Sequence, residues 1–278
     1  MVRTITIVSG KGGVGKTSLT ANIGVALAQS GLKVLLIDAD VAMANLSLIL
    51  GMQSSPITLH DVLLGESNIQ DAIYDGPAGV FLIPSGLSLE AYRRVDAERL
   101  ESVIKSVQEN YDFVLIDAPA GIEKNVMAAI VAGEETIIVT TPDSPSIADA
   151  LKIKLVAQRL GVNPIGIIIN FARNEKGEIK ADDIVRLLEL PILGIVPEDP
   201  EVRKSFMQEN VSPVILRKPN SPASNAIKKI AAKISGKSIE AGFEEKKQGF
   251  FSRLFGGFKK KQGTEQLKEE QDKNKIGE

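Results

Sequence analysis

Residues 10 to 17 read GKGGVGKT, directly after the β-branched run RTITIVS (3 to 9) and directly before KTSLTANIGVALAQSG (16 to 31). A strand, a glycine loop and a helix in that order form the setting that the phosphate-loop pattern G-x-x-x-x-G-K-[ST] requires. The pattern constrains the fold because such a loop stands at the C-terminal end of a parallel strand in an open α/β sheet. Each residue type has a task. The glycines Gly10, Gly12, Gly13 and Gly15, with Val14 between them, let backbone N–H groups converge on phosphate oxygens. The helix N-terminus around Ser18 adds its dipole, Lys16 balances β and γ charge, and the Thr17 hydroxyl suits a magnesium ion.

The rest of the chain agrees with that setting. Short apolar runs at 33 to 40, 79 to 85, 112 to 118, 135 to 141, 164 to 170 and 191 to 197 alternate with amphipathic stretches. Runs without polar alternation are strands covered on both faces. Helices are expected at 16 to 31, 96 to 110, 144 to 161 and 221 to 236, the last two closed by Gly161 and Gly236. The prediction is an α/β fold with a doubly wound, mostly parallel sheet spanning residues 1 to 236. A charged linker (237 to 248), an amphipathic helix (249 to 261) and a disordered tail (262 to 278) are expected to follow.

Composition excludes several chemistries. The sequence has no cysteine and a single histidine, His60, so thiolate sites, iron-sulfur clusters, cysteine nucleophiles and multi-histidine metal sites are ruled out. His60 itself reads as a surface or helix-start residue. A net charge of -2 with interspersed acids and bases argues against nucleic acid as a general partner. No run reaches the length of a membrane span and no leader precedes the first strand, so a cytoplasmic protein is expected.

Two strand ends carry acids beside the loop: Asp38 and Asp40 in LLIDAD, and Asp117 in FVLIDAPAGI. Strand C-termini are where ligands bind in such sheets. A second lysine, Lys11, lies near the start of the loop. With this KGGVGKT form the chain resembles the deviant Walker A (MinD/ParA) ATPases of the SIMIBI-type P-loop fold, over residues 1 to 236. The resemblance implies an ATP- and magnesium-dependent homodimer that hydrolyses ATP. In it Lys11 reaches the partner subunit's phosphates, Asp40 orients or polarises the attacking water, and Asp38 and Asp117 hold magnesium through water. It further implies that Asn170 reads the adenine and that Pro197 to Asp199 line the base.

Within that family the absence of cysteine removes the iron-sulfur branches. The stretch DADVAMANLSLILG is similar to the MinD branch, whose position matching Asn45 lies at the dimer and partner surface. Ala42 and Ala44 replace bulkier or charged residues usual there, which weakens the case for a bacterial-type partner. Near the C-terminus, KKQGFFSRLFGGFKKK looks like a MinD membrane-targeting sequence. On a helix, Phe250, Phe251, Leu254, Phe255 and Phe258 share one face, and the flanking lysines favour an anionic membrane surface. Gly256 and Gly257 weaken that helix in water by about 1 kcal/mol each. The expected function is an ATPase that switches on and off the inner face of the cell membrane to position cell-division or other machinery. The alternatives are a ParA-like DNA-partitioning ATPase and a metabolic ATP-using enzyme.

Overall fold

The structure is a computed structural model, and it describes residues 1–40, 44–52, 55–86, 99–207 and 211–236. The expected helix at 249 to 261, with Phe250, Phe251, Leu254, Phe255 and Phe258, lies outside the described residues, as do Ala42 and the linker and tail.

Among the described residues eight strands form one sheet: β1 (Arg3–Ser9), β2 (Val34–Asp38), β3 (Tyr74–Asp75), β4 (Val80–Ile83), β5 (Phe113–Ala120), β6 (Glu135–Thr140), β7 (Asn163–Ala172) and β8 (Ile192–Pro197). Their order is β3-β4-β2-β5-β1-β6-β7-β8. All neighbouring pairs are parallel except β3 with β4. The two-residue β3 adds an antiparallel edge that the sequence reading did not include.

Ten α-helices are present among the described residues: α1 (Lys16–Gln29), α2 (Leu46–Ile49), α3 (Leu59–Leu64), α4 (Arg99–Lys105), α5 (Lys124–Ala132), α6 (Ser144–Arg159), α7 (Ala181–Leu188), α8 (Pro200–Ser205), α9 (Val214–Arg217) and α10 (Pro222–Ser235). Helices α1 and α10 pack together on one face of the sheet, and α5 and α6 lie on the other, against α4 and α7. Between these layers β2 is buried along its whole length, which is why its sequence lacks polar alternation. Each fully buried Leu or Ile there, such as Leu35, Leu36 and Ile37, contributes about 1.5 to 3 kcal/mol of transfer free energy.

Two expectations are corrected. The helix expected over 96 to 110 ends at Lys105 and is followed by a separate 3-10 turn at Gln108–Asn110. His60 does start a helix, as the second residue of α3, but it is only 2% exposed. Burial holds its pKa below the ordinary value, so it stays neutral inside the core.

The Asp143 side chain caps α6 by accepting from Ser146 N at 3.0 Å, and Ser221 caps α10. Asn22 in α1 ties the face together: its Oδ1 accepts from Ile215 N at 3.0 Å and its Nδ2 donates to Ser18 O at 2.8 Å.

Candidate nucleotide site

The strand order creates a crevice. From β1 the chain moves to β2 and β4 on one side, returns to β5, and then runs outward through β6, β7 and β8 on the other. The loop after β1 therefore opens at a topological switch point, where the C-terminal strand ends diverge. Gly13 and Gly15 adopt φ of 82° and 83°, a region costly for side chains. A Cβ on Gly15 would lie 2.3 Å from Asn170 Nδ2, and one on Gly10 would lie 2.5 Å from Asp149 Cβ in α6. The loop is thus pinned from below by β7 and from the side by α6.

Above it is a cleft of about 650 Å³, lined by residues 12–18 of the loop, by Asp40 and Asn45, and by an apolar wall of Leu48, Ile49, Phe206 and Val211. That volume lies within the range of small-molecule sites.

The floor of the site is a buried charged group. Lys16, 6% exposed, donates from Nζ to Asp117 Oδ1 at 2.8 Å, and Asp117 is wholly buried. Asp38 stands beside Asp117 in register across β2 and β5. Its Oδ1 accepts from Asp40 N and its Oδ2 from Leu46 N, each at 3.1 Å. Burial first, and then the neighbouring Asp117, push Asp38 up to about 8, against the opposing pull of those two N–H groups and Lys16. Near neutral pH Asp38 therefore keeps its proton. Asp117 Oδ2 is buried with no hydrogen-bond partner, an oxygen suited to a donor from the ligand side.

The structure brings Lys16, Thr17, Ser18, Asp38, Asp40 and Asp117 together around one end of the cleft. Gly12 to Gly15 and Asn45 also line the cleft, whereas Lys11, Asn170, Pro197 and Asp199 do not. Lys11 is 40% exposed, does not line the cleft, and lies 3.4 Å from Asp143 Oδ1 at the start of α6. Asn170 donates from Nδ2 to Val14 O at 2.8 Å, bracing the loop from beneath. Asp199 is buried and accepts from Glu201 N at 2.9 Å and Ala223 N at 3.1 Å, tying α8 to α10. Burial alone would raise its pKa, but these N–H groups hold it below the ordinary value. Pro197 ends β8 opposite Ala172, and neither it nor Asn170 nor Asp199 lines the cleft. Asn45 stands exposed at the N-cap position of α2.

Several participants were not singled out from sequence: Thr20, which donates to Asp117; Asp143, which faces Lys11; and Phe171. The last has φ of 56°, a left-handed conformation costing a non-glycine residue about 1 to 3 kcal/mol, and its ring underlies Gly15. Along α6, Leu151 and Leu155 are exposed.

Magnesium suits the donor types present. It takes oxygen ligands, commonly one or two carboxylates completed by phosphates and water. Thr17, Asp38 and Asp117 are oxygen donors, and Asp117 Oδ2 is unclaimed. Among the described residues no cluster of three His, Cys, Asp or Glu could cage an ion by itself.

Comparison with known proteins agrees with this geometry. Residues 5–213 match the family model described as the CobQ/CobB/MinD/ParA nucleotide binding domain. The chain is 47% identical to an ATP-binding protein of Methanocaldococcus jannaschii, over 92% of this chain and 97% of that one. It is 35% identical to the septum site-determining protein MinD of Synechocystis, over 86% and 91% of the two chains. The structure of MinD from Pyrococcus horikoshii, complexed with Mg-ADP, superposes with a TM-score of 0.80 at 40% identity, covering 84% of this chain and 96% of that one. A phosphate loop at the switch point, a second lysine within it and these similarities over most of the chain make this protein a MinD-like member of the MinD/ParA family of P-loop nucleotide-binding proteins.

Proposed function

We propose that this chain is a magnesium- and ATP-dependent dimerising ATPase that moves on and off a membrane surface to position cell-division or other machinery. The observation that carries the reading is Lys11. A lysine inside a phosphate loop that faces out of its own cleft, 40% exposed, is available to a ligand held by another subunit.

In this reading the loop N–H groups and Lys16 hold the ATP phosphates, and Lys16 exchanges Asp117 for them. Thr17 would bind magnesium directly, with Asp38 and Asp117 acting through water. The ion supplies neutralisation of the β and γ charge. Asp38 also fixes the loop that carries Asp40 by accepting Asp40 N and Leu46 N. Asp40, at the cleft wall, orients the attacking water. Lys11 from the partner adds positive charge where negative charge develops, so turnover depends on pairing. Asn170, Pro197 and Asp199 act on the base side, Asn170 and Asp199 chiefly by shaping the loop and the α8–α10 junction. The exposed Asn45 contributes to the surface for an activator or cargo protein.

Among the described residues no helix is long and apolar enough to cross a membrane. The proposed membrane contact is peripheral, through Phe250, Phe251, Leu254, Phe255 and Phe258. One such helix binds weakly, whereas a dimer presents two, and the second insertion becomes intramolecular. Sedimentation with anionic liposomes tests the reading, with ATP or ADP, for the full chain and for a version ending at Lys247. Pelleting that needs both ATP and the C-terminal segment is expected. Pelleting indifferent to nucleotide would reduce the segment to a plain anchor, and ATP-dependent retention on duplex DNA without any lipid effect would replace the reading with a partitioning ATPase.

A further inference from the structure

Helix α1 brings a second side chain into the floor of the site. Thr20 follows Lys16 by one helical turn, on the same face, and is fully buried. Its Oγ1 lies 3.0 Å from Asp117 Oδ1 and 3.1 Å from Lys16 O. A hydroxyl has one proton to donate, and an ionised carboxylate is the stronger of these two acceptors. Asp117 is therefore held by one oxygen with two donors, Lys16 Nζ and Thr20 Oγ1, while its Oδ2 has none.

The two donors differ in how firmly they stay. Lys16 is a long, flexible side chain whose charge is wanted by phosphates. Thr20 has a short, β-branched side chain with restricted χ1, inside a helix packed against the sheet. Once Lys16 turns to a phosphate, Thr20 is the remaining donor to Asp117 Oδ1.

We infer that Thr20 is a positioning residue: it retains Asp117 while Lys16 moves from carboxylate to phosphate, so that Oδ2 stays available to the water shell of magnesium. The inference rests on the Mg-ATP reading of the site. It separates two roles of the carboxylate, one oxygen for the protein and the other for the ligand. A valine at this position would fill the same space and supply no proton.

The test is binding of a fluorescent ATP analogue to the full chain, in excess chelator and across a magnesium titration, for the wild type, Thr20→Val, Thr20→Ala and Thr20→Ser. The expected result is equal affinity in chelator for all four, within about twofold. Thr20→Val and Thr20→Ala should need about tenfold more magnesium for half-maximal enhancement, the size of one lost charge-assisted hydrogen bond, and Thr20→Ser should restore the wild-type midpoint. In turnover the two donor-less variants should lose kcat with little change in KM for ATP. If Thr20→Val does not fold, the comparison of Thr20→Ala with Thr20→Ser reads the same difference. A wild-type magnesium midpoint in a folded donor-less variant would overturn the inference, as would an equal loss in chelator or a serine variant as impaired as the valine one. A wild-type chain that binds no ATP at any magnesium concentration would overturn the site reading along with it.

Discussion

Gly10→Ala separates the packing of the loop from its chemistry. The new Cβ would lie 2.5 Å from Asp149 Cβ, 2.6 Å from Asp149 O and 2.7 Å from Asp149 C. Ordinary carbon contacts begin near 3.4 Å, so relief requires a shift approaching 1 Å. Two of the three obstructing atoms are backbone, within a helix of 16 residues, and cannot rotate away. Overpacking a close-packed interior costs about 1 to 3 kcal/mol, and an obstruction made of backbone belongs in the upper half of that range. In a domain of this size each kcal/mol lowers Tm by about 2 to 4 °C, giving a fall of about 5 to 10 °C. The assay is thermal unfolding without nucleotide, followed by circular dichroism. Gly12→Ala is the control, because a Cβ there meets nothing within 4 Å, and its stability should stay within about 0.5 kcal/mol of wild type. A Gly10→Ala variant melting with the wild type, or a Gly12→Ala variant falling equally far, would refute the argument.

Three further outcomes are expected. With a folded-state pKa of about 8 against 3.8 when unfolded, Asp38 keeps a proton in the folded protein that the unfolded chain loses. Stability of the nucleotide-free protein therefore falls as pH rises between those values and levels off above them, and Asp38→Asn should flatten the slope in urea titrations from pH 5 to 9. Asp199→Ala strands the N–H groups of Glu201 and Ala223 and should cost about 2 kcal/mol by denaturant unfolding; unchanged stability with weakened ATP binding would instead assign Asp199 to the base. Lys11→Ala removes a half-exposed ion pair worth at most about 1 kcal/mol, so its melting curve should match the wild type while ATP-dependent recruitment to vesicles is lost; normal recruitment would sever Lys11 from the switch.

The parallel sheet was legible because strands covered on both faces leave continuous runs rich in β-branched and aliphatic residues, as in β1 and β2. The two-residue β3 has no such run, and its pairing depends on β4. The helix over 96 to 110 was overextended because Val107 continues an apolar pattern although it sits at a 3-10 cap rather than inside α4. His60 escaped notice as a core residue because its polarity suggests exposure. The phosphate loop was readable since its chemistry is local in sequence. Thr20 and Phe171 were not, because nothing in a helical threonine or a strand-end phenylalanine announces the residue it will meet through the fold. Asp199 precedes Pro200, a helix-start signal that describes its observed role directly.

Helix α6 can also be considered as a mechanical part. Its 16 residues make a stiff rod of about 24 Å. At one end Asp143 faces Lys11, in the second turn Asp149 abuts Gly10, and further along Leu151 and Leu155 face outward. The rod meets the root of the phosphate loop where Gly10 leaves no room for a side chain, since a Cβ there would lie 2.5 Å from Asp149 Cβ. Any larger residue at that root would therefore press on the same helix that carries Leu151 and Leu155 outward.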